Sequence, residues 1–255
     1  MLGVAAVVMC QAPLPGRSKT RLSPPLSNEE AAALSACFIA DVAETIGSLD
    51  PELDVQGVAA FPPSHREEAI RTLLPSDFIL LSQRGDDLSA RSAGVVEDLL
   101  TAGYRAVCLL SADSPTLPPS LLSDAVEALG RPGERVVLGP AVDGGYTLIG
   151  VQRPLPELFD INSWSTTRAL RQKITGAAPL SVPVETLKPW YDVHDGLALT
   201  WLLRELLGDG VSPLRTGVSG ALAPRTRAYL SSLGGRGDGP PPDPGPNAKD
   251  PRGRT

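Results

Sequence analysis

Asp113 closes the apolar run Val107-Cys108-Leu109-Leu110-Ser111, and Asp143-Gly144-Gly145-Tyr146 follows a second such run, Arg135 to Gly139. Each run has the length and residue types of a buried strand, and Ala112-Asp113-Ser114-Pro115 ends the first because proline cannot continue a central ladder. Asp113 is thereby placed at the carboxyl end of a strand. In open α/β sheets ligands bind along that edge, and a carboxylate there can hold a divalent cation whose coordination a substrate's phosphates complete. Paired glycines let the backbone approach a ligand closely and take positive φ, so Asp143, Gly144, Gly145 and Tyr146 read as one wall of a pocket. Each motif alone has a plainer reading, a β-turn for Asp-Gly-Gly and a helix start for Asp-Ser-Pro. Their closeness in sequence and like placement favour the site. A third element is the loop Gln11 to Leu22, with two prolines, Gly16, and the cations Arg17, Lys19 and Arg21 within five residues. Such a loop either turns backbone N–H groups and cationic side chains toward a polyphosphate or is a solvated basic turn. It lacks the Gly-x-x-x-x-Gly-Lys spacing of a Walker A loop.

The elements that must position these residues alternate between strand and helix. Val4 to Met9 reads as a first, central strand that delivers the basic loop, and Ser27-Asn28-Glu29-Glu30 is a capping box opening a helix to about Gly47. Leu34, Phe38, Ile39, Val42 and Ile46 form its apolar face. Val55 to Phe61 is a second strand, Ser64-His65-Arg66-Glu67 a second capping box and Phe78 to Leu81 a third strand. His65 falls at a helix start and reads as a solvated residue. Gln83 to Leu88 leads into a helix ending near Ala102, with Asp86 and Asp87 read as favourable to its N-terminal dipole. A last helix is expected around Arg225 to Leu233. From Gly234 onward Gly, Pro, Asp and Arg dominate, which predicts one folded unit over residues 1–233 and a disordered tail over 234–255.

Composition narrows the class. A chain of 255 residues that is 42% hydrophobic can bury one α/β core, and a net charge of −6 argues against a nucleic-acid or anionic-membrane partner. Cys10, Cys37 and Cys108 form no Cys-x-x-Cys pair, and an odd count suits reduced thiols packed in a cytoplasmic protein. Met1 to Cys10 is apolar but lacks a positive region before the run and is too short to span a bilayer, so neither an export signal nor a membrane span is expected.

Four segments taken together resemble one family: Gly16-x-x-Lys19-Thr20-Arg21-Leu22, Ser111-Ala-Asp-Ser-Pro-Thr-Leu117, Gly139-Pro-Ala-Val-Asp-Gly-Gly-Tyr-Thr-Leu-Ile-Gly150 and Leu158-Phe-Asp-Ile-Asn-Ser-Trp-Ser-Thr166. They are similar to a bacterial glycosyltransferase- and nucleotidyltransferase-like subfamily of the nucleotide-diphospho-sugar transferase superfamily, of the radical-SAM- and selenodomain-associated type. The resemblance spans about Val4 to Leu207. It implies a Rossmann-like glycosyltransferase-A-type α/β fold, a mixed, mostly parallel sheet flanked by helices. Carried over residue by residue, it places Gly16, Lys19 and Arg21 in a nucleotide-phosphate loop, Asp113 as a metal-binding aspartate, and Asp143, Gly144, Gly145 and Tyr146 in a substrate-side loop. Trp164, Ser165 and Thr166 match a Trp-x-Thr segment before a helix holding Leu170 and Ile174; Trp164 either stacks on a ligand or packs in the core, and Thr166 caps that helix. Two departures stand out. Gln11 replaces a lysine that usually begins the loop, a loss for which Arg17 can compensate. Asp192-Val193-His194-Asp195 replaces an Asp-x-Asp-Thr-like segment, which leaves Asp192 as the candidate second metal carboxylate and His194 as a residue leading into a helix.

The resemblance and the residues imply a transferase dependent on Mg²⁺ or Mn²⁺, acting on a nucleotide or nucleotide sugar and a small acceptor. The first expectation is a nucleotidyltransferase in which Asp113, with Asp192, holds the metal while Lys19 and Arg21 stabilise a pyrophosphate leaving group. A phosphorylated acceptor needs no general base. The alternative is a glycosyltransferase using a nucleotide sugar, with Asp143 as base, and a further class is a non-catalytic nucleotide-binding domain. Asp113 sits in a loop, so its loss is expected to abolish turnover and leave the fold intact.

Overall fold

The computed structural model describes residues 2–63, 67–159, 182–208 and 216–234, together with Ser212 and Leu214. Its strands are β1 (Leu2–Met9), β2 (Val55–Phe61), β3 (Ile79–Ser82), β4 (Tyr104–Ser111), β5 (Val136–Pro140), β6 (Tyr146–Val151) and β7 (Val184–Thr186), joined in one sheet of order β3-β2-β1-β4-β6-β5-β7. β1 lies parallel to β2 and β4, and β2 to β3, whereas β6 runs antiparallel to β4 and β5, and β7 runs parallel to β5. The described helices are α1 (Asn28–Gly47), α2 (Glu67–Arg71), α3 (Leu88–Thr101), α4 (Pro119–Gly130), α5 (Gly196–Leu207) and α6 (Pro224–Gly234). This is the mixed, mostly parallel sheet flanked by helices that the family resemblance implies.

The central strands are largely apolar because both faces are covered. Val4, Ala6 and Val8 of β1 join the core under α1, α4, α5 and α6, while Ala5 and Val7 join the opposite core with Val95, Val96 and Leu99 of α3. β4 repeats the alternation, Cys108 and Leu110 on one side, Val107 and Leu109 on the other. Cys10 and Cys108 are buried there as free thiols, and burial pushes both up to about 12.

Local signals act where the sequence places them. Ser27 and Glu30 form the reciprocal capping box of α1, and the Asp87 side chain accepts the Ala90 N–H at 2.8 Å to cap α3. β3 begins at Ile79, one residue later than expected, because Phe78 tucks its ring under Gly57, where an added Cβ would lie 2.3 Å from it. The strand β7 was not expected; it has only three residues. α6 starts at Pro224 and is tied to α1 by the buried Asp41 carboxylate, which accepts the Arg225 and Thr226 N–H groups at 3.1 and 2.8 Å. The Ser64-His65-Arg66 start, the Trp164-Ser165-Thr166 segment with Leu170 and Ile174, and the tail beyond Gly234 lie outside the described residues. Among the described residues, no helix is long and apolar enough to cross a membrane.

Candidate functional site

The site is assembled at the carboxyl edge of the sheet by one extended segment, Trp190 to Asp195. Trp190 donates its N–H to the Pro140 carbonyl at 3.0 Å and accepts the Val142 N–H at 3.0 Å, while Val193 donates to the Asp113 carbonyl at 2.8 Å. The segment therefore stitches the loop after β5 to the loop after β4. Successive side chains of an extended chain point opposite ways. Tyr191 and Val193 are fully buried in the core, and Asp192 and His194 are delivered to the other side, beside Asp113 and Asp143. Asp195 then caps α5 by accepting the Ala198 N–H at 2.9 Å. The residue leading into the helix is thus Asp195, and His194, read from sequence in that role, joins the charged cluster instead.

Each carboxylate there is held differently. Asp113 Oδ1 lies 2.6 Å from Lys19 Nζ and its Oδ2 lies 3.1 Å from His194 Nδ1. Burial alone would raise the Asp113 carboxyl, but the Lys19 ammonium and the His194 imidazole beside it hold it well below the usual carboxylate range. Asp192 is almost enclosed, with its side chain 6% exposed; it accepts the Ser114 hydroxyl and lies 3.4 Å from His194 Nε2. Asp143 is half open, accepts the Gly145 N–H at 3.0 Å and places Oδ2 4.0 Å from the same nitrogen. Gly144 carries a φ of +105°, the conformation that lets this turn close before β6. Hydrogen bonds to Asp113 and Asp192 hold the His194 imidazole protonated up to about 10.

Lys19 differs most from expectation. Its backbone is left-handed, with φ 50°, and its side chain is only 6% exposed. Besides Asp113, the ammonium donates to the Val193 carbonyl at 2.9 Å and lies 4.7 Å from the Phe38 ring centre. These contacts occupy it and tie it to Asp113. The Arg17 side chain lines the cleft, and its guanidinium makes no hydrogen bond or ion pair among the described residues, while its backbone N–H donates to the Leu14 carbonyl at 3.0 Å. Arg21 is exposed on the one-turn helix Thr20–Leu22 and, like Gly16 and Gly144, is not part of the cleft wall.

The cleft has a volume of about 440 Å³, within the range of small-ligand sites. Arg17, Lys19, Asp113, Asp143, Gly145 and Tyr146 of the sequence-predicted set line it, together with Asp192. His194, Leu88 and Ser92 line it as well and were not read as site residues. Tyr146 pairs its hydroxyl with Ser92, and burial pushes that hydroxyl up to about 12. Trp164, the predicted stacking residue, lies outside the described residues.

The structure tests which side chains suit a divalent cation. Asp143, Asp192 and His194 each offer one donor atom, all within 4.8 Å of one another. Donors around one cation at about 2.0–2.3 Å are separated by up to roughly 4.5 Å, so the three fit with little movement. Asp113 is not in this set. Its oxygens face Lys19 and His194, which puts it behind the imidazole rather than among the donors.

Beneath the segment lies a closed polar network. The Trp190 indole donates to the Thr116 hydroxyl at 3.3 Å, and Thr116 donates to the Tyr191 hydroxyl at 3.2 Å. Tyr191 in turn donates to the buried Glu205 carboxylate of α5. Burial raises both the Tyr191 hydroxyl and the Glu205 carboxyl above their ordinary values.

Comparison with known proteins places this fold. A family model described as "Uncharacterized protein conserved in bacteria (DUF2064)" matches residues 47–166. The structure of a provisionally assigned nucleotide-diphospho-sugar transferase from Desulfovibrio desulfuricans G20 is similar with a TM-score of 0.71 and 25% identity, covering 91% of this chain and 98% of that one. A cytidylyltransferase from Leptospira borgpetersenii serovar Hardjo-bovis is similar in fold, with a TM-score of 0.50 and 9% identity over 91% of this chain and 94% of that one. No curated protein matches the sequence significantly. The fold is thus of the glycosyltransferase-A type, and the superfamily resemblance carried by the motifs is borne out.

Proposed function

We propose that this transferase is a metal-assisted nucleotidyltransferase, moving a nucleoside monophosphate from a nucleoside triphosphate to a small phosphorylated acceptor. The observation that carries the reading is that Arg17 lines the same cleft as Asp143, Asp192 and His194. A polyphosphate needs both a cation from the protein and a place for a divalent ion, and the cleft supplies both. The similarity to a nucleotide-diphospho-sugar transferase and a cytidylyltransferase supports nucleotide chemistry in general.

In this reading Arg17 faces the phosphates and Lys19 keeps Asp113 ionised and fixed. Asp113 receives the His194 Nδ1–H, which turns Nε2 toward Asp192 and Asp143. Those three side chains would hold a divalent cation. Bound there, the ion supplies charge neutralisation at the transferring phosphate. An oxygen of the acceptor phosphate attacks the α-phosphorus, the bond from that phosphorus to the α–β bridging oxygen breaks, and pyrophosphate leaves with the bonding pair. An ionised acceptor brings its own nucleophilic oxygen, so no general base is required. Tyr146 and the apolar residues Leu88, Leu109 and Ile39 shape the remainder of the cleft.

The test offers the full chain each nucleoside triphosphate with Mg²⁺ or Mn²⁺ and a panel of phosphorylated acceptors. Pyrophosphate released in step with a nucleotidylated product is the expected result. A second reading, glycosyl transfer from a nucleotide sugar, is favoured by the half-open Asp143 carboxylate, which an acceptor hydroxyl could reach as a base. Sugar transfer without pyrophosphate replaces the first reading with the second. Nucleotide binding without turnover across the panel overturns both; binding itself is seen as thermal stabilisation, about 2.7 kcal/mol and roughly 5–10 °C at 100 times the dissociation constant.

A further inference from the structure

We infer that Asp143, Asp192 and His194 form a mixed oxygen–nitrogen site that selects a borderline transition-metal dication, such as Co²⁺ or Zn²⁺, over Mg²⁺. The inference rests on the metal-assisted reading above and names the class of ion that this chain's own side chains favour. Three observations carry it. First, His194 is placed by the backbone: Val193 is fully buried and bonded to the Asp113 carbonyl, so the next side chain can only turn to the cleft. Second, the two imidazole nitrogens are not equivalent. Nδ1 lies 3.1 Å from an Asp113 oxygen that Lys19 holds in place, whereas Nε2 lies 3.4 Å from Asp192 Oδ2 and 4.0 Å from Asp143 Oδ2. A carboxylate on one nitrogen fixes the tautomer and points the other nitrogen at the ion, the outer-shell arrangement found behind histidine ligands. Third, Asp192 is held by Ser114 and Asp143 by the Gly145 N–H, so a cation that displaces the Nε2 proton of His194 finds the donors in place with little rearrangement.

The chemistry of the donors then decides the ion. Mg²⁺ is a hard cation that takes oxygen ligands and keeps several waters, while an imidazole nitrogen suits the later first-row dications, whose affinities rise from manganese to copper and fall back at zinc. An aspartate in place of His194 would make the set all-oxygen and remove that bias. His194 therefore acts as a specificity-determining side chain for the metal.

The experiment titrates the full chain with Co²⁺ and with Mg²⁺ by calorimetry, and records pulsed electron paramagnetic resonance of the Cu²⁺-loaded protein for imidazole nitrogen coupling. The chain has two histidines, so His194→Asp assigns the signal. The expected result is nitrogen coupling in the wild-type protein that His194→Asp removes, with Co²⁺ affinity falling at least about tenfold and Mg²⁺ affinity holding or rising. Asp113→Asn provides a second variant, expected to weaken Co²⁺ by roughly 10- to 100-fold with little effect on Mg²⁺. Loss of Co²⁺ and Mg²⁺ affinity in equal measure, or nitrogen coupling that persists in His194→Asp, overturns the selectivity. A dication bound through oxygen alone, with pyrophosphate release intact, sinks this inference and leaves the nucleotidyltransferase reading standing; failure of any dication to bind beside a nucleotide sinks both.

Discussion

The segment Trp190–Asp195 separates two groups of polar side chains that handle burial in opposite ways. Below it, Trp190, Thr116, Tyr191 and Glu205 form a closed network in which each hydroxyl and the indole N–H has a partner. Above it, Asp113, Asp143 and Asp192 share one imidazole and one ammonium at the wall of an open cleft. The closed group satisfies itself and has nothing left to offer a ligand. The open group keeps negative charge in excess of its internal cations, an excess that attracts a bound cation.

The largest effect should come from the upper group. Asp113→Ala is expected to abolish turnover and also to lower stability by about 2–3 kcal/mol, because it leaves the nearly buried Lys19 ammonium without its carboxylate. This revises the expectation that a loop aspartate is dispensable to the fold. Urea unfolding checks it, and an unchanged midpoint would mean that Lys19 finds another partner. Tyr191→Phe breaks the lower group and should cost about 2 kcal/mol by leaving Glu205 without its strongest donor, with dication affinity unchanged. If metal affinity falls equally, the two faces are not separable. Arg17→Ala should leave stability alone and weaken triphosphate binding by about 1.5 kcal/mol, roughly tenfold in Kd, read by calorimetry. Equal binding by both proteins would return the phosphate contact to Lys19 or Arg21.

The smallest effect is a pH dependence. Burial raises the Glu205 carboxyl in the folded protein, so folding favours its protonated form. That contribution is present below the unfolded-state value, about 4.3, and is lost as pH rises through the higher folded value. Glu205→Gln cannot ionise. Its melting temperature should match the wild type near pH 4 and exceed it progressively toward neutrality. A pH-independent difference would show that Glu205 stays charged and well compensated.

Much of the cleft was legible along the chain. Asp113, Asp143, Gly145 and Tyr146 follow apolar runs whose breaks mark strand ends, and the basic loop follows β1 directly. His194 was misread because one histidine without metal spacing carries little information. The signal that could have found it is the alternation Tyr191-Asp192-Val193-His194, which puts the Asp192 and His194 side chains on one face of an extended segment. The setting of Lys19 was hidden for another reason. Its charge is visible in sequence, but its left-handed backbone and its contacts with Phe38 and Val193 are not.

The sequence by itself determined the strand and helix alternation, the two-sided core and the carboxyl edge at which the acidic loops end, because these follow from periodicity, capping and chain breaks acting over a few residues. Only the tertiary structure decided which charges meet. Asp113 and His194 are 81 positions apart, and they face one another because Val193 bonds to the Asp113 carbonyl across the ends of two loops. Coulomb energy and hydrogen bonding depend on distances of a few ångströms that no local pattern encodes, so the division of labour among Lys19, Asp113 and His194 emerges only when the sheet is closed.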